Sequence, residues 1–234
     1  IEHCIYGIDI QPIAIQIAKL RFFISLLVDQ YPKPEKPNLG IRALPNLETN
    51  LVAANSLIPL ELENQMDIFN TIIENYISKI KAFHKEYFST RNRKDKLDLK
   101  AREHKLRMEF SEELKKSAFP AQEAEDIANW DPYSVNSIAP FFNPTIMFGL
   151  TNFNIVIANP PYVRQENIAY KDLLDKSGYQ IFNSTSDLYT YFYELAYKLL
   201  SENGIATFIT SNKWLRSKYG TKLRQFLKQN TKLQ

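Results

Sequence analysis

Asn159-Pro160-Pro161-Tyr162 is the stretch of this sequence whose residue types could do chemistry together. It follows the apolar run Phe153–Ala158, which reads as a buried strand. Two consecutive prolines cannot belong to a hydrogen-bonded ladder, and they fix the backbone rigidly. A Pro-Pro turn closing an edge strand is the bland reading. The chemical reading is geometric. The side-chain oxygen of Asn159 and a carbonyl freed by the prolines can both accept hydrogen bonds from one planar amino group. Accepting both protons concentrates the nitrogen lone pair and aims it at an electrophile, which is catalysis by positioning and electrostatics. Tyr162 offers a flat face on which a base taken out of a duplex could stack. No strong base is needed at the start, because the nitrogen becomes acidic only once alkylated.

Those residues need a scaffold. Ile5–Ile10 reads as a strand, Pro12 suits a first helical turn, and Ile13, Ile17, Leu20, Phe23 or Ile24, and Leu27 recur at helical steps through Val28. Breakers fill 31–45, and Leu51-Val52-Ala53-Ala54 reads as a second strand. Phe69, Ile72, Ile73, Tyr76, Ile77, Ile80, Phe83 and Tyr87 mark one face of a long helix. Leu99, Leu106, Phe110 and Leu114 mark a second, and a loop rich in Asn, Pro and Phe runs over 130–150 to the third strand, Phe153–Ala158. A further helix carries Leu188, Tyr191, Phe192, Leu195 and Leu199. Asp187 is its N-cap and Gly204 its stop. Ile205–Thr210 is a fourth strand, and Leu215–Leu227 is the last amphipathic segment. Strands alternating with helices predict an α/β fold, a doubly wound and mostly parallel sheet. Ligands in such sheets sit at the carboxyl ends of the strands, where Asp9, Asn55 and Asn159 fall.

Asp9 stands where such folds place an acid for ribose hydroxyls, and it could equally cap the helix that follows. The six glycines never fall within two residues of one another. A glycine-rich cofactor loop is therefore expected upstream of Ile1, or there is no cofactor. The 234 residues carry 44% hydrophobic and 24% charged side chains with a net charge of +3. That excludes a disordered tail and gives no global argument for nucleic acid. The single cysteine, Cys4, excludes an intrachain disulfide and fits a reducing cytoplasm. His3, His84 and His104 show no ligand spacing, so no metal is expected. Neither a membrane span nor a signal peptide is expected. From Lys79 to Lys116 there are 13 Lys or Arg against 7 Asp or Glu, which suits a solvated helical hairpin or a phosphate-contacting surface.

The stretch Phe153–Glu166, with Asn159-Pro160-Pro161-Tyr162 at its centre, resembles the catalytic motif of amino-group DNA methyltransferases. The likeness is to the adenine-specific branch in Eco57I-like (type IIG) restriction-modification enzymes. Ile5–Leu27 is similar to that family's segment with the ribose-binding acid. Ala53-Ala54-Asn55-Ser56-Leu57 resembles the segment that holds the cofactor adenine. Asp187-Leu188-Tyr189 with Phe192 and Glu194, Ile205 through Trp214, and Pro140–Pro144 with Met147-Phe148-Gly149 resemble the flanking segments. Asn55 stands where Asp is frequent, Ala158 where Gly is, and Asn154 where Asp is.

The resemblance implies a Rossmann-like class I methyltransferase fold, truncated, with 1–60 and 151–234 as catalytic core. Residues 61–150 are then a charged helical insertion with a Pro/Phe-rich return loop. It implies S-adenosylmethionine as methyl donor, bound weakly or not at all by this segment alone. Asp9, Ile10, Asn55, Ser56 and Asp187 would surround it, with Asn159, Pro160, Pro161 and Tyr162 at the reacting base. Double-stranded DNA with a flipped adenine is the implied partner, contacted by Arg164, Lys213, Arg216 and Lys218. The same tetrapeptide occurs in enzymes acting on RNA bases or on a protein glutamine. A binding module without catalysis is the competing class, and oligomeric state is open.

Overall fold

A computed structural model describes residues 4–60, 62, 67–117 and 119–232; His3 and the side chain of Phe69 lie outside them. The chain divides into two compact units. The first comprises Ile1–Ser56 with Leu60–Leu150 and the second Leu57–Pro59 with Thr151–Gln234.

The first unit opens with β1 (Gly7–Asp9) and α1 (Pro12–Val28), with Pro12 at the start of the helix. It continues with β2 (Leu51–Ala53). The two strands pair in parallel, Gly7 opposite Leu51 and Asp9 opposite Ala53. The Asn50 side-chain amide donates to the Ile5 carbonyl and locks the register. Helix α1 is apolar on more than one face, and the strand pair covers only one. Ile15, with Ala18, Phe22 and Phe23 beside it, packs against Leu47, Leu51 and Ala53. Of the line that periodicity marks, Ile13, Ile17, Leu20 and Leu27 are exposed instead, as is Ile24, while its alternative Phe23 packs on the pair.

Helices α2 (Asp67–Ser89), α3 (Arg93–Lys116) and α4 (Ala121–Asn129) follow, the last unmarked in the sequence reading. Tyr76, Ile80 and Tyr87 are buried along α2, as the spacing predicts. On α3 the buried stripe holds Leu99, Leu106, Phe110 and Leu114, with Glu103 and Arg107 set into it. Tyr76 and Phe110 stack with centroids 4.1 Å apart. Residues 130–150, expected as loop, include the short helix α5 (Pro144–Phe148). The Asn143 side chain accepts a bond from the Ile146 amide to cap it. Gly149 ends it at φ 67°, a left-handed conformation that favours glycine.

The second unit contains β3 (Phe153–Ala158), α6 (Lys171–Lys176), α7 (Tyr191–Leu199), β4 (Leu200–Phe208) and α8 (Thr221–Asn230). Strands β3 and β4 pair in parallel, with a register break where Phe153 faces Leu200 and Ile155 faces Ile205. Helix α7 therefore ends at Leu199, and Gly204 is not its stop but lies inside β4. A Cβ on Gly204 would come within 2.9 Å of the Ser201 carbonyl oxygen and 3.1 Å of that of Asn154, so the close strand approach needs glycine. Ile155, Ile157, Ile205 and Ile209 are exposed, Ile157 at 77%, so β3 is not the buried strand its composition suggests.

The last helix starts later than its apolar pattern implies. A one-turn 3-10 helix, Lys213–Leu215, precedes it. The Arg224 guanidinium gathers the intervening turn by donating to the carbonyls of Trp214 (2.5 Å) and Ser217 (2.9 Å). The core of this unit is aromatic, with Tyr179, Tyr189, Tyr191, Trp214 and Phe226 buried. The parallel pairing of the expected α/β fold is present, while the described strands form two two-stranded parallel pairs rather than one doubly wound sheet.

Candidate active site

The backbone ladder of the second unit ends where the Ile209 amide donates to the Ala158 carbonyl at 3.2 Å. The chain then enters Asn159-Pro160-Pro161-Tyr162, which is neither helix nor strand. With no amide hydrogen on either proline, the pairing stops there. Pro160 is buried, while Asn159 is exposed. Among the described residues the Asn159 side chain makes no hydrogen bond, and the Pro160 carbonyl accepts none. Two acceptors are thus left open on adjacent residues at the end of a parallel strand pair.

Tyr162 is held without being buried. Its hydroxyl donates to the Ile209 carbonyl at 3.1 Å, while the residue stays 55% exposed. Its ring lies 6.0 Å from that of Tyr189, inclined at 56°. The Tyr189 hydroxyl in turn meets that of Tyr219 at 3.0 Å. Burial, reinforced by that hydroxyl bond, pushes the Tyr189 phenol well above its ordinary range. It is neutral and can serve as donor or acceptor at any ordinary pH.

The loop after Tyr162 is pinned at two points. The Leu188 amide donates to the Val163 carbonyl at 2.9 Å. The Gln165 amide donates to the Asp187 carboxylate at 3.2 Å. Asp187 does occupy the N-cap position of the one-turn helix Leu188–Thr190, but its side chain makes no capping bond there. Its carboxylate faces the loop that follows Tyr162 instead. Glu194 holds the neighbouring backbone. It is fully buried, accepts from the amides of Gln180 (3.1 Å) and Ile181 (3.0 Å), and pairs with Lys198 at 3.2 Å.

In the first unit, Asp9, Ile10, Asn55 and Ser56 lie at the carboxyl end of the β1–β2 pair. The Ala54 amide donates to the Asp9 carbonyl at 3.0 Å, and the Asn55 amide to that of Ala139. One carboxylate oxygen of Asp9 accepts from the Gln11 amide at 2.8 Å. Gln11 is the N-cap of α1 and no side chain caps it, so Asp9 braces the turn before the helix rather than capping it, and its exposed carboxylate has acceptor capacity to spare. The phosphate-surface alternative for 79–116 is narrowed, since Arg107 is buried and bonded to Glu103 at 2.7 Å.

Arg164, Lys213, Arg216 and Lys218 are exposed and make no ion pair among the described residues. Tyr219 was not singled out in the sequence, and Tyr189 only as part of a flanking segment. No spacing marks the pair, because the hydroxyl contact that joins Tyr189 to Tyr219 is made only in the fold.

The sequence model of the Eco57I restriction-modification methylase family matches residues 3–234. The Type II methyltransferase M.BstVI of Geobacillus stearothermophilus is 40% identical over 83 residues, 35% of this chain and 15% of that protein. M.PaeR7I of Pseudomonas aeruginosa is 37% identical over 76 residues, 32% of this chain and 13% of its own length. M.XhoI of Xanthomonas vasicola is 35% identical over 82 residues, 35% and 15% respectively. The matched stretch thus spans a small part of each relative. With the family match extending over residues 3–234, this chain belongs to the Eco57I restriction-modification methylase family.

Proposed function

We propose that this chain is the catalytic segment of a site-specific DNA methyltransferase in a restriction-modification system, methylating the exocyclic N6 amine of adenine. The observation that carries this reading is the pair of open acceptors at Asn159 and Pro160 beside the half-exposed ring of Tyr162. The Asn159 side-chain oxygen and the Pro160 carbonyl hold the two amine protons and direct the nitrogen lone pair. The Tyr162 ring stacks on the extruded adenine, and its hydroxyl bond to Ile209 keeps the ring from swinging. The relatives' names as Type II methyltransferases support DNA as substrate, and the resemblance around Asn159 supports adenine.

The donor is S-adenosylmethionine, and the first unit's acceptors fit it. Asp9 has a carboxylate oxygen beyond its bond to Gln11 for ribose hydroxyls, and Ile10, Asn55 and Ser56 at the same strand ends suit the adenine. Bound there, it would supply an electrophilic methyl group. The amine nitrogen oriented by Asn159 and Pro160 would take up a methyl group of that kind and release its proton to solvent. Residues 1–60 and 151–234 form the methyltransferase core in this reading, and 61–150 the insertion. Asp187 belongs to it through its bond to Gln165.

The test offers labelled S-adenosylmethionine and, in parallel, duplex DNA, RNA and protein to the intact protein, with products hydrolysed and identified. Labelled N6-methyladenine from DNA is the expected product. Label confined to RNA or protein would overturn the substrate, and label nowhere would favour a binding module.

A further inference from the structure

The second unit takes in three residues from the middle of the sequence, Leu57–Pro59. Leu57 is buried in the aromatic core of that unit, and the Tyr179 hydroxyl donates to the Leu57 carbonyl at 3.0 Å across 122 positions of sequence. Little about Tyr179 can move. Its ring meets that of Tyr191 edge-on, with centroids 5.5 Å apart, and the Lys198 ammonium lies 5.0 Å from its centroid. Lys198 is itself held by the Glu194 carboxylate. That carboxylate also accepts from the amides of Gln180 and Ile181, the two residues that follow Tyr179. One buried acid and its neighbours thus fix the backbone and the ring behind the hydroxyl. Burial raises the phenol far above its ordinary range, so the hydroxyl keeps its proton and stays a donor.

What the hydroxyl holds is a turn. Ser56 and Leu57 form it, directly after Ala54 and Asn55. Tyr191, buried beside Tyr179, spends its own hydroxyl locally, on the Asn183 carbonyl eight positions away. Of the two phenols, Tyr179 is the one that reaches the segment leading out of Asn55 and Ser56. Taking a buried donor away from a carbonyl makes that carbonyl costly to keep in place. Other arrangements of the turn then compete with the observed one, and a ligand that needs the observed one binds in proportion to its population.

We infer that Tyr179 is a positioning residue for S-adenosylmethionine, its hydroxyl holding the Leu57 carbonyl and so setting the turn from which Asn55 and Ser56 reach the cofactor adenine. The inference rests on the proposed methyl transfer and deepens it. Glu194 and Lys198 act one step further back, by fixing Tyr179 itself.

The test is calorimetric titration of the intact protein with S-adenosylmethionine. Tyr179→Phe keeps the ring against Tyr191 and Lys198 and removes the hydroxyl alone. Its dissociation constant should rise about fivefold, the turn then holding its binding arrangement about one-fifth of the time. Its kcat at saturating cofactor should stay the same, because only uniform binding is lost. Tyr191→Phe removes a comparable hydroxyl and should lose as much thermal stability, with cofactor affinity unchanged. That comparison separates positioning from packing. A second readout needs no variant: cofactor binding to the unmodified protein should slow hydrogen exchange at the Gln180 and Ile181 amides, since coupling between the cofactor and the Tyr179 anchor is reciprocal.

Equal cofactor affinity in Tyr179→Phe and the unmodified protein overturns the inference. So does an equal loss in Tyr191→Phe, or exchange at Gln180 and Ile181 that ignores the cofactor. Methyl transfer to DNA, measured alongside, reports on the functional reading separately. A fivefold loss in Tyr179→Phe with no transfer to DNA would keep the anchor and overturn the substrate, whereas no cofactor binding by the unmodified protein would overturn both.

Discussion

The hydroxyl of Tyr162 donates a 3.1 Å hydrogen bond to the carbonyl of Ile209, joining the residue that ends the Asn-Pro-Pro-Tyr turn to the first residue beyond β4. The bond spans 47 positions of sequence and fixes a ring that stays half exposed. It divides the Tyr162 side chain into two functions that substitution can separate. Tyr162→Phe keeps the stacking face and loses the tether, and kcat/KM should fall less than about tenfold, one hydrogen bond's worth. Tyr162→Ala removes the face as well and should cost about 1–3 kcal/mol more in binding of the extruded base. Fluorescence of 2-aminopurine at the target position reads the difference. Equal losses for both variants would place the value of Tyr162 in the tether alone.

Asp187 accepts from the Gln165 amide, and this predicts how it responds to substitution. Asp187→Asn retains an acceptor oxygen and should leave the loop in place, with kcat within a fewfold. Asp187→Ala leaves the amide without its acceptor and should cost about 1 kcal/mol of stability together with kcat, while the dissociation constant for S-adenosylmethionine stays the same. Calorimetric titration of both variants checks this, and a loss of cofactor affinity in Asp187→Ala would mean a direct contact.

The Glu103–Arg107 pair should dominate the stability of the helical region. Both side chains are 1% exposed, at 2.7 Å, and Tyr133 also donates to the Glu103 carboxylate. Glu103→Ala strands a buried guanidinium and should destabilise by about 3–5 kcal/mol. Asp98→Ala breaks the exposed Arg102–Asp98 pair and should cost less than about 1 kcal/mol. Urea unfolding of the two variants gives the comparison directly.

Alkaline pH should unfold the second unit through its tyrosines. Burial pushes the Tyr191 phenol up to about 12, and its hydroxyl donates to the Asn183 carbonyl. Burial likewise raises Tyr179 and Tyr189. Each phenol binds its proton more tightly folded than unfolded. Their stabilisation is therefore fully present below the ordinary tyrosine pKa of about 10 and is lost as pH climbs through the raised values. Thermal melting should hold steady up to about pH 9.5 and then fall toward pH 12, with delayed phenolate absorbance. A melting temperature unchanged at pH 11.5 would contradict it.

Some of this was legible in the sequence for identifiable reasons. Strand β3 falls where composition and Pro160 bound it, and α1 begins where Pro12 allows, because those are local signals. The tetrapeptide at Asn159 was legible because two prolines after an apolar run have few explanations. What failed was orientation. Helix α1 has more apolar residues than its strand pair can cover, so periodicity alone could not tell the Ile15 face from the Ile13–Ile17–Leu20 face. Glu103 and Arg107 sit at the buried positions of α3, yet a charge run reads as solvated until the partner is known. The run from Tyr162 through Tyr189 to Tyr219 depends on a hydroxyl contact across 30 residues, which no spacing encodes. Gly204 resembled a helix stop and became a strand residue because α7 gives way directly to β4.

The central claim is that Asn159 aims an adenine amine. It is tested most directly by single-turnover transfer from labelled S-adenosylmethionine to a duplex by the intact protein and its Asn159→Ala variant, with the methylated nucleoside identified. The account predicts N6-methyladenine from the unmodified protein and a rate lower by about 10²–10³ in the variant, with DNA affinity unchanged. Methylcytosine as product, or an Asn159→Ala variant that transfers at the unmodified rate, would contradict it.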